Sequence, residues 1–464
     1  MPRSPWHEET DLIVVGASVG GLAAALLAGD RRCRTIVFER GKELGGGAGN
    51  EAETIAAAGS RFQGAAGIAD DPGRFVADML AASRHHLEPE VAAALAEQGP
   101  AVVAWLADRC GTPIELLAQA GIGHAVARLH APGERGGTTL VADLVRAATR
   151  HTHASVRTGS PVERLVRDDT GAVSGVAVRT DRRGGTQTVA GRVLLACGGF
   201  AGDDTLVASH CPAVAELPYA GAVPAAGDGL RLGLEVGAQA RRLGACLVTP
   251  FLAMPGQLMV AAPLVEMGAI LVNQAGRRFA DETMENLPLA VTVRAQPGRV
   301  AYLLFDERIA TAARAADPFT RNVVLPRAGR RGATLADLAK QFELDLAGLT
   351  LTIDTFNGNL DLGGDPFGRE RFDGRLEAPF HAIRVTGGRV RTLGGLAVDG
   401  HAHVLDAEGR PIPGLYATAG AAAGPAGEGT EGALAGTAAL AALGLARLAV
   451  QDVVAGLAAR DAAE

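Results

Sequence analysis

The chain lacks any cysteine pair spaced for a disulfide framework, a redox motif or a metal knuckle. Its five cysteines, Cys33, Cys110, Cys197, Cys211 and Cys246, are scattered, and no C-x-x-C occurs. An odd count without paired spacing points to free thiols in a reducing compartment. No basic run or stripe rises above the modest net charge of −7, so nucleic acid is not an expected partner. The opening MPRSPWHEETD holds no apolar signal-peptide core. The one membrane-like stretch, residues 434–446, is shorter than the ~20 residues of a spanning helix. It is rich in Ala and Gly and is followed by Arg447, so a buried helix, no membrane span and a soluble, cytoplasmic protein are expected. There is no repeat of fixed period and no low-complexity tract beyond an Ala/Gly bias.

What is present centres on residues 11–40, DLIVVGASVGGLAAALLAGDRRCRTIVFER. Residues 12–15 are a short apolar run with β-branched members, suited to a strand buried on both faces. The run stops at Gly16-Ala17-Ser18-Val19-Gly20-Gly21, and residues 22–28 read as an Ala/Leu helix. A second strand at 34–38 ends at Glu39, about 20 residues beyond the turn. This is the βαβ unit of dinucleotide-binding folds. Gly16 permits the tight turn, Gly21 lets helix and strand pack closely, and the helix N-terminus offers N–H groups to a pyrophosphate. The Glu39 carboxylate can take two ribose hydroxyls. Ser18 stands where the second glycine of G-x-G-x-x-G belongs, which weakens the fingerprint. No second such unit occurs, so a separate nicotinamide-nucleotide domain is not expected.

At 464 residues, 48% of them apolar, the chain is expected to form two domains, one discontinuous. Gly45-Gly46-Gly47-Ala48-Gly49 reads as a cofactor loop, and residues 65–127 as a helical insertion with helices at 72–83 and 89–110. His85-His86 reads as a solvated helix end, and no metal site is expected. Thr138 is a plausible N-cap for a helix at 140–150. Residues 155–197 read as a small β-meander leading into a buried strand that ends in paired glycines, VLLACGGF. Gly227-Asp228-Gly229 opens a helix to Val236. From 241 to 383 the composition shifts to Pro, Arg and aromatics, with helices expected at 334–342 and 345–357. The last 80 residues return to the first style and close on a helix from Ala433.

With these segments in order, the chain resembles the fumarate reductase/succinate dehydrogenase flavoprotein superfamily, including its 3-ketosteroid Δ1-dehydrogenase branch. GASVGG with Glu39, the GGG loop, VLLACGGF, GDGLRLGLEVGA, ILVNQAGRRFADE, RTLGGLAVD and IPGLYATAG cover nearly the whole length. The resemblance implies an α/β fold: a glutathione-reductase-type FAD-binding domain (1–240 and 384–464) interrupted by a smaller α+β capping domain (241–383). It further implies that Gly16, Ser18, Gly20 and Gly21 hold the pyrophosphate, with Glu39 and Arg40 at the adenosine ribose. Gly46 and Gly47 would approach the isoalloxazine, and Val162 would meet adenine through its backbone. Gly199 and Asp228 would support the phosphate and ribityl region. Tyr416, Gly420, Gly432 and Ala433 complete the implied cofactor set, the last two aiming a helix N-terminus at the flavin N1/O2 edge. Members that bind FAD covalently use a His after the second strand; residues 41–65 contain none, so non-covalent FAD is expected.

The implied chemistry is hydride transfer between flavin N5 and a carbon, with a proton moved at the neighbouring carbon next to a carbonyl or carboxylate. The substrate half departs from the family. Asn286 fills the slot of the family's Arg or Tyr acid, and Arg391 replaces a His before the TLGG turn. Ala421 replaces a Glu, and Gly427-Glu428-Gly429-Thr430-Glu431-Gly432 stands where an Arg or Tyr belongs. Arg391 is the expected clamp on a substrate carbonyl or carboxylate, with Arg389 left as the surface residue of the pair. Glu428 is the candidate base if desolvated, and Asn286 and Glu285 are weaker candidates. Of the three tyrosines, Tyr302 and Tyr416 lie in strand patterns and Tyr219 remains an outside candidate. His401 and His403 read as exposed. Alternatives are amine oxidation in a pocket made acidic by Glu285, Glu428 and Glu431, or a flavin-binding protein without turnover. The substrate, the electron partner and the oligomeric state stay open.

Overall fold

The computed structural model describes residues 6–50, 53–179, 185–221, 225–260, 263–370, 374–418, 420–430 and 432–461. The chain opens with β1 (Glu8–Val15), α1 (Val19–Gly29) and β2 (Thr35–Phe38). Every residue of α1 is buried, which is why it carries no polar face. Around β1 an eight-stranded sheet forms in the order His403–Leu405, Pro411–Ala417, Thr186–Leu195, β1, β2, Ala154–Arg157. From Pro411–Ala417 to Ala154–Arg157 all neighbours are parallel. The expected meander is the antiparallel pair Val162–Arg167 and Val173–Arg179, paired to the first half of Thr186–Leu195. Both halves of the chain therefore build one sheet, with the carboxyl ends of its parallel strands facing one crevice.

The intervening chain builds a second, antiparallel sheet in the order Leu258–Met259, Cys246–Ala253, Phe380–Thr392, Ala301–Asp306, Ile270–Val272. Its long strand Phe380–Thr392 runs through the boundary expected at 383 and ends beside the first domain. A separate apolar core, including Ile270, Leu303, Phe305 and Phe356, fills this cap. The Arg278-Phe279-Ala280-Asp281-Glu282 motif serves the cap itself. Arg278 donates to Glu282 at 2.8 Å and to Asp365 at 2.5 Å, and Arg369 donates to Glu282 at 3.1 Å, with all four side chains almost fully buried.

Several local expectations shift. The insertion holds helices Pro72–Ala82 and Pro89–Trp105, but also strands Ile114–Leu116 and Leu129–Pro132, too short to show a period. The helix expected from 140 spans Gly137–Ala148, so Thr138 lies inside it. A side chain on Gly137 would collide with the Ala48 carbonyl, and this close approach seats the helix on the glycine loop. The closing helix begins at Thr437, four residues after the expected start, because the chain first turns at Gly436 (φ +78°) around Ala56, whose N–H donates to the Gly436 carbonyl at 3.1 Å. Residues 437–460 are long and apolar enough to cross a membrane by length and composition alone. Here Leu440, Leu443, Ala446, Ala449 and Val450 are buried, and Gly20 of α1 fits against the Ala442 carbonyl.

Candidate active site

At the end of β1, Gly16 (φ +101°) turns the chain, and a Cβ there would sit 2.5 Å from the Cys197 Cα. A side chain on Gly21 would collide with the Gly16 carbonyl, so Gly21 sets how closely helix and turn approach. A Cβ on Gly20 would meet the Ala442 carbonyl and Thr418, so its missing side chain lets α1 pack closely on the closing helix. Ser18 has φ −71° and ψ 177°, a conformation open to any residue, and its Oγ accepts the Gly21 N–H at 3.3 Å. The serine is the N-cap of α1, and its hydroxyl hydrogen stays available to an acceptor in front of the helix.

Glu39 ends β2 with its carboxylate accepting from the Ala17 N–H at 2.9 Å and the Gly41 N–H at 2.7 Å. Each oxygen keeps a lone pair for a hydroxyl. The Glu39 carbonyl accepts from the Ser160 N–H at 2.9 Å, which sets Val162 beside the same end of the crevice. Arg40 pairs with Asp228 at 2.8 Å, and Arg231 holds Asp228 from the other side at 3.1 Å. Asp228 is thus tied to the residue that follows Glu39 at the end of β2. Cys197 lies between, and burial, with Asp228 beside it, pushes its thiol up to about 12. A Cβ on Gly46 would lie 3.5 Å from the Ser18 Cβ, and one on Gly47 would meet nothing within 4 Å. A helix N-terminus, a carboxylate at the second strand and a side-chain-free loop above them fit a dinucleotide diphosphate.

At the other end, Gly199 and Gly420 let the two strand ends approach the cap. A Cβ on Gly420 would lie 2.8 Å from the Gly198 Cα, and the Phe200 N–H donates to the Thr392 Oγ at 3.0 Å. Gly432 (φ +86°) accepts from the Gly427 N–H at 3.0 Å, and Ala433 is exposed ahead of the closing helix. Tyr416 points elsewhere: its hydroxyl donates to Asp452 of the closing helix at 2.6 Å, and His403, expected to be exposed, is half-buried against the same carboxylate at 3.2 Å. Burial, then the bond to Asp452, pushes the Tyr416 hydroxyl above its usual range.

The catalytic candidates separate. Arg391, at the end of Phe380–Thr392, has 29% of its side chain exposed, and its Nη1 lies 3.9 Å from Oε1 of Glu53, in the segment that follows the glycine loop. Arg389 reverses its expected surface role. It is buried, donates to the carbonyls of Ala201 (2.7 Å), Ala215 (3.0 Å) and Leu217 (2.7 Å), and pairs with Asp204. Glu428 is exposed, and so is Glu285. The loop packs through Ala426 on Ala245 and Leu393, then turns Glu428 outward, so a desolvated base is not formed there. Glu431 lies outside the described residues. Asn286 begins the helix Asn286–Arg294, whose Leu287 and Ala290 pack on the first domain's core. Tyr219 pairs through its main chain with Arg389. Glu53 was missed by sequence alone; a lone Glu just after a glycine cluster carries no periodic signal.

A family model described as FAD binding domain matches residues 11–439. The chain is 30% identical over 414 residues to a cytochrome-type fumarate reductase of Shewanella frigidimarina, covering 88% of this chain and 71% of that one. It is 27% identical over 440 residues to the urocanate reductase of Eggerthella lenta, covering 91% and 72%. Among solved structures, the open conformation of a flavocytochrome c3 fumarate reductase matches with TM-score 0.83 at 27% identity, covering 97% of this chain and 79% of that one. The 3-ketosteroid-Δ4-(5α)-dehydrogenase of Rhodococcus jostii RHA1 matches with TM-score 0.68 at 25% identity, covering 98% of each. The chain belongs to the FAD-binding flavoprotein family that includes the fumarate reductases, and it is an FAD-dependent oxidoreductase acting on carbon–carbon double bonds or their saturated counterparts.

Proposed function

We propose that the protein interconverts C–C and C=C bonds next to a carbonyl or carboxylate, which Arg391 holds by its planar fork. The observation that carries this reading is the place of Arg391: a cap-borne guanidinium one residue before Thr392, whose Oγ is bonded to the strand end that carries Gly199. FAD, when bound, supplies hydride transfer at N5. Gly16, Ser18 and Glu39 would hold its diphosphate and ribose, and the loop at Gly46 and Gly47 would lie over it. A guanidinium facing the activating oxygen stabilises the charge that develops there as the neighbouring C–H is broken or formed.

The test is reoxidation of the anaerobically reduced enzyme by a panel of alkenes. Relatives are named for the alkenes fumarate, urocanate, acrylate and vinyl phenol. Carboxylate- or carbonyl-activated members should reoxidise the flavin and 4-vinylphenol should not; reaction with 4-vinylphenol alone would remove Arg391 from the site. The amine-oxidation alternative has lost its support, because Glu285 and Glu428 are exposed. The five cysteines are thiols, four of them buried, which supports a reducing, cytoplasmic setting.

The absence of a histidine from residues 41–65 supports non-covalent FAD. Acid precipitation should release the flavin to the supernatant. Glu39→Ala should weaken FAD binding by about 1.5–3 kcal/mol, the worth of a charged hydrogen-bond acceptor. Equilibrium dialysis of the apoprotein with FAD reads this directly, and flavin retained in the acid pellet would refute the non-covalent claim.

A further inference from the structure

We propose that Glu53 is the proton-transfer residue of this site, facing Arg391 while the site is empty and made more basic when a substrate oxygen takes over part of the guanidinium charge. The inference rests on the reading of Arg391 above.

Glu53 follows the glycine loop and precedes the strand Ile55–Ala56. Three contacts fix its surroundings. The loop at Ala48 presses on Gly137, where a Cβ would lie 3.1 Å from the Glu53 Cβ. The Ala56 N–H binds the Gly436 carbonyl at the start of the closing helix, at 3.1 Å. Gly46 of the same loop packs on Ser18. Glu53 thus sits where the cofactor loop, the closing helix and the cap meet. Its backbone is left-handed (φ +49°), unusual for a residue with a side chain and sustained only where neighbours dictate it. Its side chain is 7% exposed, against 29% for Arg391.

At 3.9 Å, Glu53 Oε1 and Arg391 Nη1 are farther apart than hydrogen-bonded atoms. The guanidinium charge still favours the ionised carboxylate. A carbonyl or carboxylate oxygen seated on Arg391 takes over part of that charge, and Glu53 then binds a proton more readily. In desaturation the carbon next to the activating group yields its proton to a Glu53 oxygen. The C–H bonding pair becomes the second bond of C=C as the neighbouring carbon gives up hydride, for which bound FAD would be the acceptor. Reduction runs the same steps backwards, with protonated Glu53 as the acid. Glu53 thereby replaces the acid missing at Asn286.

Malonate, a saturated dicarboxylate, serves as the probe on the FAD-loaded protein. Its binding is read by flavin difference absorbance, and proton uptake by an indicator dye. Wild type should take up about one proton per malonate at pH 7–8, so its Kd should rise about tenfold per pH unit there. Glu53→Gln should abolish the uptake, flatten the pH dependence and bind malonate at least tenfold tighter at pH 8. Glu53→Asp should restore the uptake at a shifted pH. Glu53→Gln should also slow reoxidation by the best alkene of the panel by about 10²–10⁴-fold. Wild-type uptake and slope retained in Glu53→Gln would overturn the role of Glu53 and leave Arg391 standing. So would the absence of proton uptake by wild type when malonate binds. Malonate that fails to bind wild type, or binds Arg391→Gln equally well, would remove the Arg391 reading and this inference together.

Discussion

Arg128→Met is expected to destabilise the protein by about 3–5 kcal/mol, the cost of leaving one member of a buried ion pair alone. The Arg128 and Asp70 side chains are both fully buried. Arg128 Nε and Nη2 donate to the two Asp70 oxygens at 3.0 and 2.9 Å, and Nη1 donates to Asp78 at 2.7 Å. The guanidinium lies 4.7 Å from the Phe75 ring centroid, and Gln63 bonds Asp70 from the far side at 2.9 Å. Methionine refills much of the volume, so the loss comes from the stranded carboxylate of Asp70 and not from a cavity. Against a usual total of about 5–15 kcal/mol, such a loss should sharply lower soluble yield. Urea unfolding of the FAD-loaded protein measures it, and adding Asp70→Asn to Arg128→Met should recover part. A loss under about 1 kcal/mol would mean that water reaches the pair. The Arg128 carbonyl also accepts the Ala57 N–H at 3.0 Å, so the variant should loosen the strand that follows Glu53.

The nucleotide half was legible because its physics is local. A buried strand, a glycine turn, an apolar helix and a terminal Glu39 all fall within 30 residues, where period and spacing can be read. Ser18 shows the limit even there. Read against a glycine pattern it looks like a defect, yet its backbone needs no glycine and its side chain caps the helix. Arg389, expected at the surface, is buried for a cause no sequence displays. A register shift between Leu247 and Val248 sets Leu247 opposite Arg391 and Val248 opposite Arg389, leaving Val390 as the extra residue. Such a bulge re-aims neighbouring side chains. Arg389 enters the carbonyl cluster of residues 201–217, and Arg391 turns toward Glu53. Arg128, just beyond the expected helical insertion, gave no hint of full burial, because its two carboxylates come from other elements. Glu53 meets Arg391 only once the cap has folded over the glycine loop.

Arg391→Lys should retain FAD and fold normally, yet lower kcat/KM with the best panel alkene by about 10²–10³-fold. Loss of one preorganised donor to a developing negative charge has that scale, about 2.7–4 kcal/mol. Lysine keeps the charge but offers a point donor in place of a planar fork, so both the grip on a carboxylate or carbonyl and its orientation suffer. The effect should appear in the reoxidation rate at saturating alkene as well as in apparent affinity, because the guanidinium acts most where charge accumulates in the transition state. Stability should change little, since lysine keeps the positive charge and the side chain is partly exposed. Arg389→Lys is the control two residues away. It forfeits donors to three buried carbonyls and should lower Tm, with the turnover of the surviving folded protein near wild type. Stopped-flow reoxidation beside thermal unfolding separates the two. If Arg391→Lys turned over within threefold of wild type while binding malonate equally well, the guanidinium would have no part in holding the substrate.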